Sequence, residues 1–149
     1  MSSRIAFTLA FALLLAPGLA VAKTDCPAAV TDAAQKAYPA AKVTACKQEK
    51  EKGKVQYEVK LETQEAKKLE LDISPEGSIL LTEEAVAVDS VPKSVMAAFE
   101  AKYPKMKAAK ADKQTQADGT VGYEIAFKDA KGKKHEATFK EDGTFVEEE

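Results

Sequence analysis

One histidine, His135, and two cysteines, Cys26 and Cys46, are the residues on which nucleophilic, redox or transition-metal chemistry in this chain would have to rest. Nucleophilic catalysis needs a serine or cysteine beside a base, and a third group to orient that base. Ser74 and Ser78 flank a turn, Ser90 and Ser94 flank a helix start, and no spacing pairs any of them with His135. A redox or zinc site would want C-x-x-C spacing or further histidines, and Cys26 and Cys46 have neither. The two cysteines are instead expected to form a structural disulfide. It would close a loop of about 20 residues and stabilise the fold by roughly 3 kcal/mol. Hard-cation chemistry would fall to Asp142 with Glu147-Glu148-Glu149, and to Glu83-Glu84 upstream, which could collect Ca²⁺ weakly through carboxylate oxygens. A solvated acidic strand end is the simpler reading of both. The expectation is a chain with no catalytic residue, no metal ligand set and no cofactor site.

The compartment follows from the first residues. Arg4 precedes an apolar run from Ile5 to Ala16, broken by Pro17-Gly18 and followed by Ala20-Val21-Ala22, the small-x-small pattern that signal peptidase reads. Residues 1–22 are therefore expected to be a signal peptide cleaved before Lys23, which the intact mass of the exported protein would reveal. The run is shorter than the roughly 18 to 20 residues needed to cross a bilayer, and no later segment approaches that length. Cys26 follows Lys-Thr-Asp, the wrong context for lipid attachment. The expected location is the periplasm or the medium, where a paired Cys26 and Cys46 is chemically at home. The formal net charge is −2, with lysines and acids interspersed, so a nucleic-acid footprint, which needs a basic stripe, is not expected.

What would position these residues is a repeat. Pro27 matches Pro92, Val30 matches Val95, Ala33 matches Ala98, and Tyr38-Pro39 matches Tyr103-Pro104 at one spacing. After a single inserted residue the match resumes: Gly53 with Gly119, Tyr57-Glu58-Val59 with Tyr123-Glu124-Ile125, Lys67-Lys68 with Lys133-Lys134, and Glu76-Gly77 with Asp142-Gly143. Each copy reads as a helix followed by strands. Val30, Ala33, Ala34, Ala37 and Tyr38 share one helical face, as do Val95, Ala98, Phe99 and Tyr103. Pro27 and Pro92 suit a helix start, while Pro39 and Pro104 stop each helix at the preceding tyrosine. Period-two alternation predicts strands, with Val55, Tyr57, Val59 and Leu61 inward, then Leu69, Leu71 and Ile73, and in the second copy Val121, Tyr123, Ile125 and Phe127. Short final strands are expected at Ile79–Leu81 and Thr144–Val146, after turns at Ser74-Pro75-Glu76-Gly77 and Lys140-Glu141-Asp142-Gly143. Weaker first strands fall at Val43–Gln48 and Ala108–Gln114. The predicted class is α+β: two tandem α-β-β-β(β) repeats, about 26–84 and about 91–149, forming an antiparallel sheet with helices packed on one face. The connector from Glu83 to Ser90 lacks the composition of a flexible linker, so one shared core is expected across residues 23–149.

A helix entering on V-P-x-x-V and ending in Y-P, a Y-E-[VI] strand, a K-K-x-E strand and an [ED]-G turn resemble the PepSY-like family. The resemblance is carried by Val91-Pro92, Val95, Tyr103-Pro104, Tyr123-Glu124-Ile125 and Asp142-Gly143 with their first-copy partners. That family is related to the β-lactamase-inhibitor-protein fold and to the PepSY domains in propeptides of thermolysin-type peptidases. The resemblance implies a secreted or periplasmic module of tandem α+β repeats, without catalytic residues, that binds or inhibits a protein. Such motifs mark a fold and carry no chemistry. The inhibitor protein meets its enzyme with an aromatic-rich concave sheet face. Here the outward positions, among them Lys54, Gln56, Glu58, Lys60, Glu62, Lys68, Glu70, Asp72, Glu124, Lys134, Glu136 and Lys140, include no aromatic. Interface hot spots favour Trp, Tyr and Arg; the chain has no Trp, its only Arg is Arg4, and its tyrosines are read as pointing to the packed side. The expected partner is a protein of unknown identity, such as an envelope peptidase, met through a polar face that includes Lys60, Lys68 and Lys134. The alternative is an envelope sensor or accessory protein that binds a small ligand or a cation. His135 falls in the inward row with Ala137 and Phe139, at the position of Leu69 in the first copy, and is read as structural.

Overall fold

Proline and tyrosine set the helix limits. The computed structural model describes residues 26–149, so the signal-peptide segment lies outside the described residues. Pro27 and Pro92 stand immediately before α1 (Ala28–Ala37) and α2 (Lys93–Lys102). The Tyr38 and Tyr103 amides close the last turns onto the Ala34 and Phe99 carbonyls, at 2.9 and 2.8 Å. Prolines at the next positions prevent continuation. After α1 come β1 (Lys42–Glu51), β2 (Lys54–Glu62), β3 (Lys68–Ile73) and β4 (Ile79–Val86); after α2 come β5 (Ala108–Gln116), β6 (Val121–Lys128), β7 (Lys134–Lys140) and β8 (Phe145–Glu148). A single 3₁₀ turn, Val88–Ser90, leads into α2.

The strands form one eight-stranded sheet in chain order, and every neighbouring pair is antiparallel. The chain is therefore α+β with two tandem repeats. The connector is a correction to the sequence reading: Glu83–Val86 is the second half of β4, which pairs with β5 from Leu81↔Gln116 to Val86↔Ala111. The expectation of one shared core is also overturned. Val30 and Ala34 of α1 cluster with Val59, Leu61, Leu69, Leu71 and Ile73, whereas Val95 and Phe99 of α2 cluster separately with Ile125, Phe127, Ala137 and Phe139. Between the clusters the β4–β5 register sets Thr82 against Thr115 and Glu84 against Lys113. Polar pairs on the core side of the seam keep the two apolar clusters from merging. The repeats share backbone hydrogen bonds, not a common interior.

Cys26 and Cys46 are joined, tying the start of α1 to β1. The second repeat has Val91 and Ala111 at these places, both buried in its core, so apolar burial stands there in place of the disulfide. One inward residue is misplaced by strict alternation. Val55 is 40% exposed, because it pairs with Lys50 next to the β1–β2 turn, outside the apolar cluster.

Candidate functional site

Residues opposite each other across a sheet share a face, so the register assembles rows that no single strand reveals. One row runs Lys60, Glu70, Glu83, Gln114. A second runs Asp112, Glu124, Thr138, Glu147, and a third sets Lys47, Glu58 and Asp72 side by side. Carboxylates from both repeats thus meet over the β4–β5 seam. Gln114 Nε2 donates to Glu83 Oε1 at 2.7 Å and to Glu124 Oε2 at 3.2 Å, so one amide bridges an acid of each repeat. Lys60 Nζ lies 3.0 Å from Glu70 and 3.2 Å from Glu58.

The sheet curls over this face. Eight strands at about 4.8 Å spacing would hold β1 and β8 roughly 34 Å apart if flat. Instead Lys52, in the turn after β1, places its Nζ 3.6 Å from Glu147 Oε2 on β8. Curling explains why Gln56 on this face is only 9% exposed, and why its acids are partly withdrawn from water. Burial, reinforced by Glu83, Glu136 and Asp112, pushes Glu124 up to about 8. Burial raises Glu83 to about 7 against the opposing pull of the Gln114 amide, and raises Asp72 to about 6 with help from Glu49 and Glu58. Asp112 is raised by burial and by Glu70.

A pH dependence follows. These groups keep protons in the folded chain that the unfolded chain releases. Their stabilising contribution is complete below the ordinary carboxylate range and is lost as pH rises through about 6 to 8. The exposed acids work oppositely and only in acid. Asp118, Asp129 and Asp142 are lowered by backbone amides in their own turns, and Glu148 by the Tyr103 hydroxyl. Thermal denaturation between about pH 5 and about pH 9 should show the midpoint falling by several degrees, and Glu124→Gln should flatten that slope. An unchanged slope in the variant would refute the assignment to the seam.

The residues singled out in the sequence are distributed differently from one another. Lys60 is tied to Glu70 and Glu58 inside the row, whereas Lys68 and Lys134 are exposed at equivalent starts of β3 and β7. The acidic strand ends do not converge on one point. Glu147 faces Lys52, Glu148 faces Tyr103 and His135, and Asp142 accepts the Thr144 amide at 2.8 Å. Among the described residues no group of three or more His, Cys, Asp or Glu side chains is placed to hold a metal ion. The serines bond to backbone: Ser94 Oγ donates to the Glu141 carbonyl in the turn after β7 at 2.7 Å, and Ser90 Oγ to the Ala87 carbonyl at 2.6 Å.

His135 has a richer setting than its inward position suggested. Its ring stacks on Phe127 at 5.3 Å, Nδ1 lies 3.1 Å from Glu148 Oε1, and Nε2 lies 3.6 Å from Asp129 Oδ2. Tyr103 Oη donates to the other Glu148 oxygen at 2.6 Å, and its own ionisation is pushed up by burial and by that carboxylate. This chain of groups fastens β8 to the end of α2, to β7 and to the β6–β7 turn.

Tandem αβ units feeding one curled antiparallel sheet define a class of small repeat proteins. The description of the beta-lactamase-inhibitor-like, PepSY-like family matches residues 16–81 and again residues 80–147. The chain belongs to that family, as its motifs implied. Solved structures share the fold. A protein of Bacteroides eggerthii, provisionally described as periplasmic, is 16% identical over 83% of this chain and 88% of that one, with a TM-score of 0.66. A DUF2874 family protein of Bacteroides uniformis has the same identity, coverage and TM-score. A BLIP-like protein of Bacteroides fragilis is 23% identical over 83% of this chain and 85% of that one, with a TM-score of 0.60. No curated protein matches the chain. Among the described residues no helix is long and apolar enough to cross a membrane.

Proposed function

We propose that the chain is a non-catalytic protein-binding module of the cell envelope, cleaved before Lys23, that regulates or inhibits an envelope enzyme such as a peptidase. In this reading the two helices cover one face of the sheet, and the partner docks on the curled, carboxylate-bearing face and its lysine rim. The observation that carries it is the curl itself. A face built from Glu, Asp, Gln and Lys, closed to a trough by Lys52 and Glu147, offers polar groups on a preformed surface. Family membership and the Cys26–Cys46 disulfide support an exported binding role.

Lys68 and Lys134 are the rim charges to test. Lys60 is not, because reversing it would leave Glu70 and Glu58 unpaired within the sheet. Charge on such a surface steers encounter more than it adds affinity, so association should slow as salt rises. Affinity capture from an envelope extract should return one enzyme. The double variant Lys68→Glu, Lys134→Glu should capture it markedly less while melting as the parent does. Undiminished capture by the folded double variant would exclude the lysine rim as part of the interface.

A further inference from the structure

The two repeats differ where their helices end. In repeat two the Tyr103 hydroxyl donates to Glu148 at 2.6 Å, and His135 approaches the same carboxylate at 3.1 Å. The repeat correspondence puts Tyr38, Thr82 and Leu69 at those positions in repeat one. Thr82 is too short to meet the tyrosine as Glu148 does, and Leu69 brings no polar side-chain atom. A trough of about 530 Å³ opens here, and Tyr38, Thr63, Leu69, Thr82, Glu84 and Lys113 contribute to its walls. Topology explains the difference. Repeat two ends at the edge strand β8, which turns a glutamate back onto its own tyrosine. In repeat one the corresponding strand, β4, runs on to pair with β5, and that pairing adds a cation, Lys113, directly across from Glu84.

We infer that this trough binds a carboxylate, held by the Tyr38 hydroxyl and the Lys113 ammonium above Leu69, where repeat two carries its own Glu148 side chain. The chain itself contains the occupied form of the site. A tyrosine at a helix end donates to a carboxylate in one repeat, and its counterpart lines an open trough in the other. A hydrogen bond from a neutral hydroxyl to an anion is stronger than one between neutral groups, and a nearby ammonium adds attraction. Glu84 sets a limit on the ligand, because a second negative charge would meet it. A single carboxylate therefore fits better than a dianion. It could be a free short-chain acid or a glutamate side chain on a peptide. By register Thr82 and Glu84 lie on the side of the sheet opposite Glu83, so this inference stands apart from the proposed protein interface.

The test follows backbone amide NMR signals of the processed protein during titration with butyrate, with N-acetylglutamate amide, and with N-acetylglutamine amide as a neutral isostere. Saturable shifts at Thr82, Leu69 and Lys113, with a Kd of about 1–10 mM, are expected from at least one of the two acids, with none from the glutamine compound. Tyr38→Phe should weaken binding about tenfold while the repeat-two signals stay in place. Thr82→Glu, which builds in the carboxylate, should block it. Response to butyrate alone assigns a free acid, and response to the glutamate compound alone assigns a peptide side chain. Absence of saturable shifts, equal shifts from the glutamine compound, or unchanged binding by Tyr38→Phe would overturn the inference.

Discussion

Phe99→Ala should cost about 3–5 kcal/mol and selectively melt the second repeat. Phe99 is 1% exposed and sits at the centre of that repeat's only apolar cluster. Its ring centroid lies 5.5 Å from Tyr103, 5.3 Å from Phe127 and 6.4 Å from Phe139. Truncation would leave a cavity among rings anchored on three different elements, which cannot all close inward. Phe127 in turn stacks on His135, and Tyr103 holds Glu148, so loosening these rings should also release β8. The first repeat has Ala34 at the equivalent place, with Leu61 and Ile73 where the second has Phe127 and Phe139. Its smaller core is supported instead by the Cys26–Cys46 bridge, worth roughly 3 kcal/mol by loop closure. Because the cores are separate, urea unfolding of the variant should lose its single transition, with the Tyr57 environment outlasting that of Tyr123. Coincident loss of both repeats would show that the β4–β5 seam couples them fully.

Gly143→Ala should destabilise by about 3 kcal/mol, combining left-handed backbone strain of roughly 1–2 kcal/mol with a displacement of α2. Gly143 has φ of +89°, and a Cβ there would stand 2.7 Å from the Ser94 carbonyl oxygen and 3.3 Å from Ala98 Cβ. The clash is with helix backbone, which is also held in place by Ser94 Oγ donating to Glu141 in the same turn. Gly77 has the same φ and the same 2.7 Å approach to the Ala29 carbonyl oxygen, so Gly77→Ala should behave alike. Gly119, with φ of +84° and nothing within 4 Å of a Cβ, isolates the strain alone. Urea midpoints should therefore fall much further for Gly143→Ala and Gly77→Ala than for Gly119→Ala. Equal losses at all three positions would mean that the close approach of turn to helix contributes nothing.

Local signals in the sequence determined a large part of this protein. The tyrosine–proline pairs stop each helix within one residue, because a proline constrains only the residue before it. Alternation of Tyr57, Val59 and Leu61 with Glu58 and Lys60 declares a strand with two unlike faces, because side chains switch sides at each step. The repeat spacing located the turn glycines and the family motifs, and the even cysteine count of an exported chain predicted the Cys26–Cys46 pair. Tertiary structure alone decided the rest, and the reason is the same in each case: proximity set by register between distant strands. Glu83 read as the start of a connector until β4 was seen to continue, and only then do Gln114 and Glu124 come within hydrogen-bonding distance of it. Lys60 read as a free surface charge until β3 set Glu70 opposite it. The curl that joins Lys52 to Glu147 is accumulated over every strand of the sheet, so no local segment encodes it. His135 and Leu69 look interchangeable in an inward row. The difference between a filled anchor and an open trough lies in whether the last strand of each repeat ends there or pairs onward.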